Sequence, residues 1–261
     1  MNKHLSPAPG IRTMIFDIAK FELTRVFRSP GNWLILALCQ FLLALIFYNL
    51  LSKYLSQPAL FEGRGITDAV IAGYYRSTGL FFILMTPFFT MRMVGEEIKT
   101  GAFKLLLSAP ISAIQILVGK YFAALGFMAC LLFIVSLVPF SLSIGTGLDY
   151  GHILTCIAGN LALIFCLVSI GLFFSSIFTQ QYLAAIAAFT IIMLLWTAHS
   201  GAGPDATTID LIFHSLSMSN HFTRFTEGVL SSMSITYFSL VTLAFLVAGM
   251  WKIHSMRSID W

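Results

Sequence analysis

The stretch Met91-Arg92-Met93-Val94-Gly95-Glu96-Glu97-Ile98-Lys99-Thr100-Gly101-Ala102-Phe103-Lys104-Leu105-Leu106-Leu107-Ser108-Ala109-Pro110 decides how the chain is read. It separates two long apolar runs, carries Arg92, Lys99 and Lys104, and is followed by Lys120. Membrane proteins retain Lys and Arg on the cytoplasmic side, so the stretch reads as a cytoplasmic connector. Arg92 and Glu96, four apart, can pair on a helix that continues out of the preceding run. Gly101 permits a sharp turn. Phe103 to Ser108 can form a short apolar-faced helix, which Ala109-Pro110 ends. Leu105, Leu106 and Leu107 on such a helix need an apolar groove on a partner or the lipid interface, and the residues by themselves leave both open.

Outward from the connector, the chain reads as membrane. Its 261 residues are 58% hydrophobic and only 10% charged, with a mean hydropathy of +0.88. Soluble chains run near 25% charged, so this one lacks the polar surface to remain in water. The apolar residues come in continuous runs near bilayer length, which predicts an all-α membrane protein and excludes a β-barrel. The formal charge of +4 reflects cytoplasmic retention of cations and is no signal for nucleic acid. Cys39, Cys130, Cys156 and Cys166 all lie in apolar runs without a C-x-x-C pair, so neither zinc nor a disulfide framework is indicated.

Residues 1–13, with Pro7, Pro9 and Gly10, read as a loose lead with no secretory signal. Met14 to Ser29 reads as an amphipathic interfacial helix. Its apolar face is Phe16, Ala19, Leu23, Val26 and Phe27; Ile18 and Phe21 break the pattern. Ser29-Pro30-Gly31 turns the chain into the bilayer. Six spans follow, at about 33–51, 70–91, 116–140, 153–178, 182–199 and 233–251. The connector covers 92–112, and a polar external segment covers 200–234. Eleven cations (Lys3, Arg12, Lys20, Arg25, Arg28, Arg92, Lys99, Lys104, Lys120, Lys252 and Arg257) fall on one side. Four (Lys53, Arg64, Arg76 and Arg224) fall on the other, so both termini are expected in the cytoplasm of a bacterial inner-membrane protein.

The chain holds no phosphate-binding G-x-x-x-x-G-K-[ST] loop, since Gly119-Lys120 is followed by Tyr121. No hydrolase-type arrangement shares an element, so no catalytic residue is expected. Gln40, Asn49, Asn160 and Thr197 sit within spans and either line a pathway or serve as interhelical hydrogen-bond partners.

The pattern Glu96-Glu97-x-x-x-Gly101-x-x-x-x-Leu106-Leu107-x-x-Pro110, followed by Gly119-Lys120, resembles the cytoplasmic coupling segment of ABC-2 type transporter permeases. Ser217-x-x-Asn220-His221-Phe222-x-x-Phe225-x-x-Gly228-Val229, followed by Tyr237-Phe238, resembles the subfamily of the gliding-motility permease GldF and the copper-linked permease NosY. Ser175-x-x-Phe178-Thr179 fits that subfamily's second cytoplasmic turn, here Thr179, Gln180 and Gln181. The resemblance implies a type V exporter-like permease fold that dimerises and binds a separate cytosolic ATPase. ATP and Mg would sit on that partner and no cofactor on this chain. Arg92, Glu96, Glu97, Gly101, Leu105, Leu106, Leu107 and Pro110 would form the part that docks in the ATPase. Spans one and five would form the homodimer seam, for which Ala184, Ala187 and Ala188 offer close helix approach; the same alanines could instead pack within one subunit.

Asp210, His214, Met218 and His221 fall near one face at helical spacing and are ligand types for a soft metal. Met218 and His221 also belong to the pattern just quoted, and no metal is expected. Two functions compete: an ATP-driven transporter subunit, and a non-transporting module that passes ATPase motion to a periplasmic accessory protein. A gradient-driven carrier is disfavoured, because no acidic residue lies in mid-span.

Overall fold

The computed structural model describes residues 11–61, 63, 65–95, 112–144, 147–198 and 215–259. Among these the chain is helical without a strand. Eight α-helices are numbered here in chain order: α1 Ile11–Arg28, α2 Pro30–Ser56, α3 Ala72–Thr90, α4 Ala113–Phe140, α5 Tyr150–Ile177, α6 Gln181–Thr197, α7 Met218–Thr226 and α8 Ser232–Ile259. A π-helical turn, Thr67–Ile71, leads into α3. The segment 96–111, which includes Glu96, Glu97, Gly101, Leu105, Leu106, Leu107 and Pro110, lies outside the described residues, as do Asp210 and His214.

The helix ends follow from local chemistry. Pro30 stands in the first turn of α2, where its missing N–H costs nothing. Across that break Asn32 Nδ2 donates to the Val26 carbonyl at 2.8 Å and Trp33 Nε1 to the Phe27 carbonyl at 2.7 Å. These two side chains satisfy carbonyls that the end of α1 leaves open. Ser112 and Gln115 form a reciprocal capping box at the start of α4. The Asp149 carboxylate caps α5 by accepting from the His152 amide at 3.1 Å.

Among the described residues, five helical stretches are long and apolar enough to cross a membrane: Pro30–Ser56, Thr67–Thr90, Ile114–Phe140, Tyr150–Ile177 and Ser232–Ser255. The expected span at 182–199 corresponds to α6, which is apolar but has 17 residues. Helix α5 is the hub, packing against α3, α4, α6, α7 and α8. Its most apolar window is 67% buried, against 22% in α2 and 17% in α8, so those two helices stand at the periphery.

Of the apolar face expected on α1, Ala19, Leu23, Val26 and Phe27 are partly buried, whereas Phe16 is 69% exposed. The face laid along α4 also includes Ile18, which breaks the pattern in the sequence, and the buried Glu22. The cause is a notch at Gly119, where a Cβ would lie 2.7 Å from Ile18 Cγ2, so Ile18 sets the rotation of the helix. The polar segment 200–234 is described only from residue 215 onward. Its described part contains α7, whose Met218, His221, Phe222 and Phe225 are buried in the bundle.

Phe222 and Phe225, three apart on α7, enter two glycine notches. A Cβ at Gly79 of α3 would lie 2.3 Å from the Phe222 ring, and one at Gly159 of α5 would lie 2.4 Å from Phe225 Cβ. Helix α7 then ends in a Schellman turn: the Val229 amide donates to the Arg224 carbonyl at 2.9 Å and the Gly228 amide to that of Phe225 at 3.1 Å. Gly228 has φ of 81°, which only glycine adopts without strain.

Candidate functional site: the anchors of the connector

The helix directions gather one set of termini at one end of the bundle: the end of α3, the start of α4, the end of α5 and the start of α6. The connector leaves and re-enters there. Helix α3 stops at Thr90 and Met91 to Val94 form a turn; Glu96, the expected partner of Arg92, lies outside the described residues. Arg92 is exposed, whereas Met93, Val94 and Gly95 are buried.

This turn is held by one hydroxyl. Ser175 Oγ, on the last turns of α5, accepts from the Val94 amide at 3.2 Å and the Gly95 amide at 3.1 Å. It donates to the Met91 carbonyl at 3.1 Å. Three backbone groups that would otherwise be buried and unpaired are thereby satisfied. One turn earlier Thr90 of α3 rests on Gly171 of α5, where a Cβ would lie 2.1 Å from Thr90 Oγ1. The entrance to the connector and the end of α5 form one packed unit.

The exit is held differently. Beyond the capping box of Ser112 and Gln115, Ile116 and Leu117 are buried and Lys120 points at α1. Lys120 Nζ donates to Glu22 Oε1 at 2.7 Å, with side chains only 1% and 8% exposed. Arg25 Nη1 lies 3.8 Å from the other carboxylate oxygen at the half-exposed edge. Sequence reading missed Glu22 and Ser175 as site residues. The signal for Glu22 was present: it is the acid on the face shared by Ile18 and Val26, and Lys120 is a cation inside an apolar run that demands a partner.

The second turn of the pattern is short. Thr179 and Gln180 are exposed, Gln180 precedes the first turn of α6, and the Tyr182 hydroxyl donates to Gln180 Oε1. Gln181 opens α6 and is partly buried. Ala184 and Ala188 are 1% exposed within the single chain, and Ala187 is partly buried. The first two are spent on intrachain packing and offer no open seam to a second copy. Asn49 and Thr197 are exposed and donate to the carbonyls of Leu45 and Met193 on their own helices. Asn160 is buried and donates to the Tyr75 and Cys156 carbonyls, while Gln40 is partly buried. None of the four lines either pocket described next.

At the opposite end, two neighbouring pockets of about 470 and 720 Å³ share His152 and Glu227. His152 Nδ1 lies 3.0 Å from Asp68 Oδ1 and its Nε2 lies 2.8 Å from the Thr226 carbonyl. Both partners are acceptors, so the ring bridges them fully only when both nitrogens carry protons. Arg76 reaches Thr226 Oγ1 at 3.4 Å and Glu227 at 4.0 Å. The groups are half-exposed: Asp68 at 58%, Arg76 at 50%, Glu227 at 60%.

His221 is a packed side chain. Its Nδ1 lies 3.1 Å from Ser234 Oγ, its Nε2 lies 3.0 Å from the Ser215 carbonyl, and its ring stacks on Tyr237 at 4.4 Å. A metal there would have to displace both hydrogen bonds, and Met218 is wholly buried. Among the described residues no three His, Cys, Asp or Glu side chains converge on a metal-sized site.

A family model described as ABC-2 family transporter protein matches residues 16–253. No curated protein matches the chain.

Proposed function

Since the chain belongs to the ABC-2 family of transporter proteins, and is thereby a membrane component of an ABC transporter, we propose that residues 92–112 are the element through which a separate cytosolic ATPase drives it. The observation that supports this most directly is the Ser175 clamp. A loop that only joined two spans would have no need of three hydrogen bonds fixing its first residues to a third helix. A connector that transmits force needs such a footing, because a slack entrance would absorb the displacement.

On this reading Glu96, Glu97 and Leu105 to Leu107 meet the ATPase, and ATP and Mg stay on that partner. The cation bias places the connector and both termini in the cytoplasm. Helix α6 is a sixth span: 17 residues rise roughly 25 Å, near the lower limit for crossing. A second copy would pack against α2, which leaves Leu34, Leu38, Phe41 and Leu45 exposed, and against the outer side of α6, where Tyr182, Ile186 and Leu194 are exposed. The quoted pattern around Phe222 and Phe225 supports placement near the GldF and NosY permeases.

The test is co-purification of the ATPase with wild type and with Glu96→Lys/Glu97→Lys. The double variant should insert normally and lose at least about tenfold in recovered ATPase, the effect of roughly 1.4 kcal/mol of binding energy. Undiminished recovery would remove the coupling assignment. The alternative, a module that transmits motion without transport, is separated by the space between two copies. A solute-sized cavity favours transport; a dry seam with a bound external protein favours transmission.

A further inference from the structure

We propose that Glu22 and Lys120 are positioning residues that lock helix α1 to the exit of the connector, so that α1 moves with α4 and not with the span it precedes in the chain. The inference rests on the proposed docking of an ATPase at the connector and specifies where the motion goes next.

Connectivity alone would assign α1 to α2, from which it is separated by Ser29. The packing assigns it elsewhere: α1 lies along α4, the first helix after the connector, and touches α2 only slightly. The contact is a socket. Ile18 sits over Gly119, Leu23 lies against Gly126, where a Cβ would be 3.2 Å from Leu23 Cδ1, and the Glu22–Lys120 pair stands between them.

An ion pair is a poor choice if the purpose is adhesion, because burying two charges consumes most of their mutual attraction. It is a good choice for setting one arrangement. Any slide or rotation of α1 along α4 stretches the 2.7 Å contact between a carboxylate and an ammonium that are both shielded from water, which is costly. Apolar helices packed by Leu and Ile alone tolerate such slips. The pair lies eight residues beyond the Ser112 cap, so it grips α4 within roughly 12 Å of the point where the connector ends. The entrance is footed on α5 by neutral hydrogen bonds, and the exit is footed on α1 by charge. Displacement of the connector is therefore delivered to two different bodies, and α1 with its exposed Phe16 and Phe21 is carried by the second.

The experiment uses the full chain with its ATPase in liposomes. It reads recovered ATPase, the melting temperature of the permease, and the stimulation of ATP turnover. Glu22→Gln and Lys120→Met should recover wild-type amounts of ATPase while stimulation falls about tenfold. The reversed pair, Glu22→Lys with Lys120→Glu, should regain at least half of it. Because the single variants leave one buried charge, Glu22→Met/Lys120→Met provides a version with an uncharged contact. It should fold and bind yet stimulate no better than the singles. Wild-type stimulation by the singles or by the double Met variant would overturn the joint alone. So would a reversed pair that restores the melting temperature but not stimulation. Absence of ATPase from the wild-type preparation would instead remove the underlying reading, and the joint's role with it.

Discussion

The two ends of the bundle are fastened by different chemistry. At the connector end the fasteners are buried: Ser175 on three backbone groups, Thr90 pressed on Gly171, and Lys120 on Glu22. At the opposite end His152, Asp68, Arg76 and Glu227 hold α7 across pockets, and all but His152 are half-exposed or more. Water screens the second set and competes for its hydrogen bonds, whereas the first set is shielded from water by burial. The proposed function would use this difference, with force received at the buried end and shape changed at the exposed one.

The comparison is sharpest in the two glycine notches. Gly171→Leu would place a Cβ 2.1 Å from Thr90 Oγ1, and neither α3 nor α5 can yield without disturbing the Ser175 clamp. A loss of about 3 kcal/mol is expected, seen as a lowered thermal midpoint in detergent. Gly159→Leu is as crowded on paper, with a Cβ 2.4 Å from Phe225, but the short helix α7 can lift. Its loss should be nearer 1 kcal/mol, at the lower end of such overpacking. A larger loss for Gly159→Leu than for Gly171→Leu would break the distinction between the ends.

Ser175→Ala comes next. It leaves two amides and a carbonyl without their partner, and a cost of about 1–3 kcal/mol is expected. Hydrogen exchange at Val94 and Gly95 should rise, with the amides of α7 unchanged. The smallest effect belongs to His152→Ala, about 0.5–1 kcal/mol, because Asp68 is already in contact with water. Exchange should rise at 226–229 and stay constant at 91–95. Changes that spread from either site to the other end would show that the two ends are not independent.

Much of this was legible in the linear chain. The runs of apolar residues located the five described helices that are long and apolar enough to cross a membrane, because a bilayer imposes a length on whatever crosses it. The packed face of α1 was legible only in part: Ala19, Leu23, Val26 and Phe27 were on the expected face, Ile18 and Glu22 were not. Hydrophobicity favoured Phe16, but the outer surface of this helix also has lipid available, so a large apolar side chain has no compulsion to turn inward. Phe222 and Phe225 were recognised as a pattern, yet their role depends on Gly79 and Gly159, which are 143 and 66 residues earlier. Ser175 looked like part of a turn, and nothing in its neighbours tells that Val94 and Gly95 need its oxygen.

Composition, run length and the placement of cations determined by themselves that the chain is a helical membrane protein with a charged connector, since those properties answer to the solvent and not to neighbours. Which side chains meet was decided only in three dimensions. A glycine becomes a socket, or a glutamate the partner of a distant lysine, when helix rotation brings them within about 3 Å, where hydrogen bonds form. That rotation is set by the packing of all the helices together, which no local stretch of residues contains.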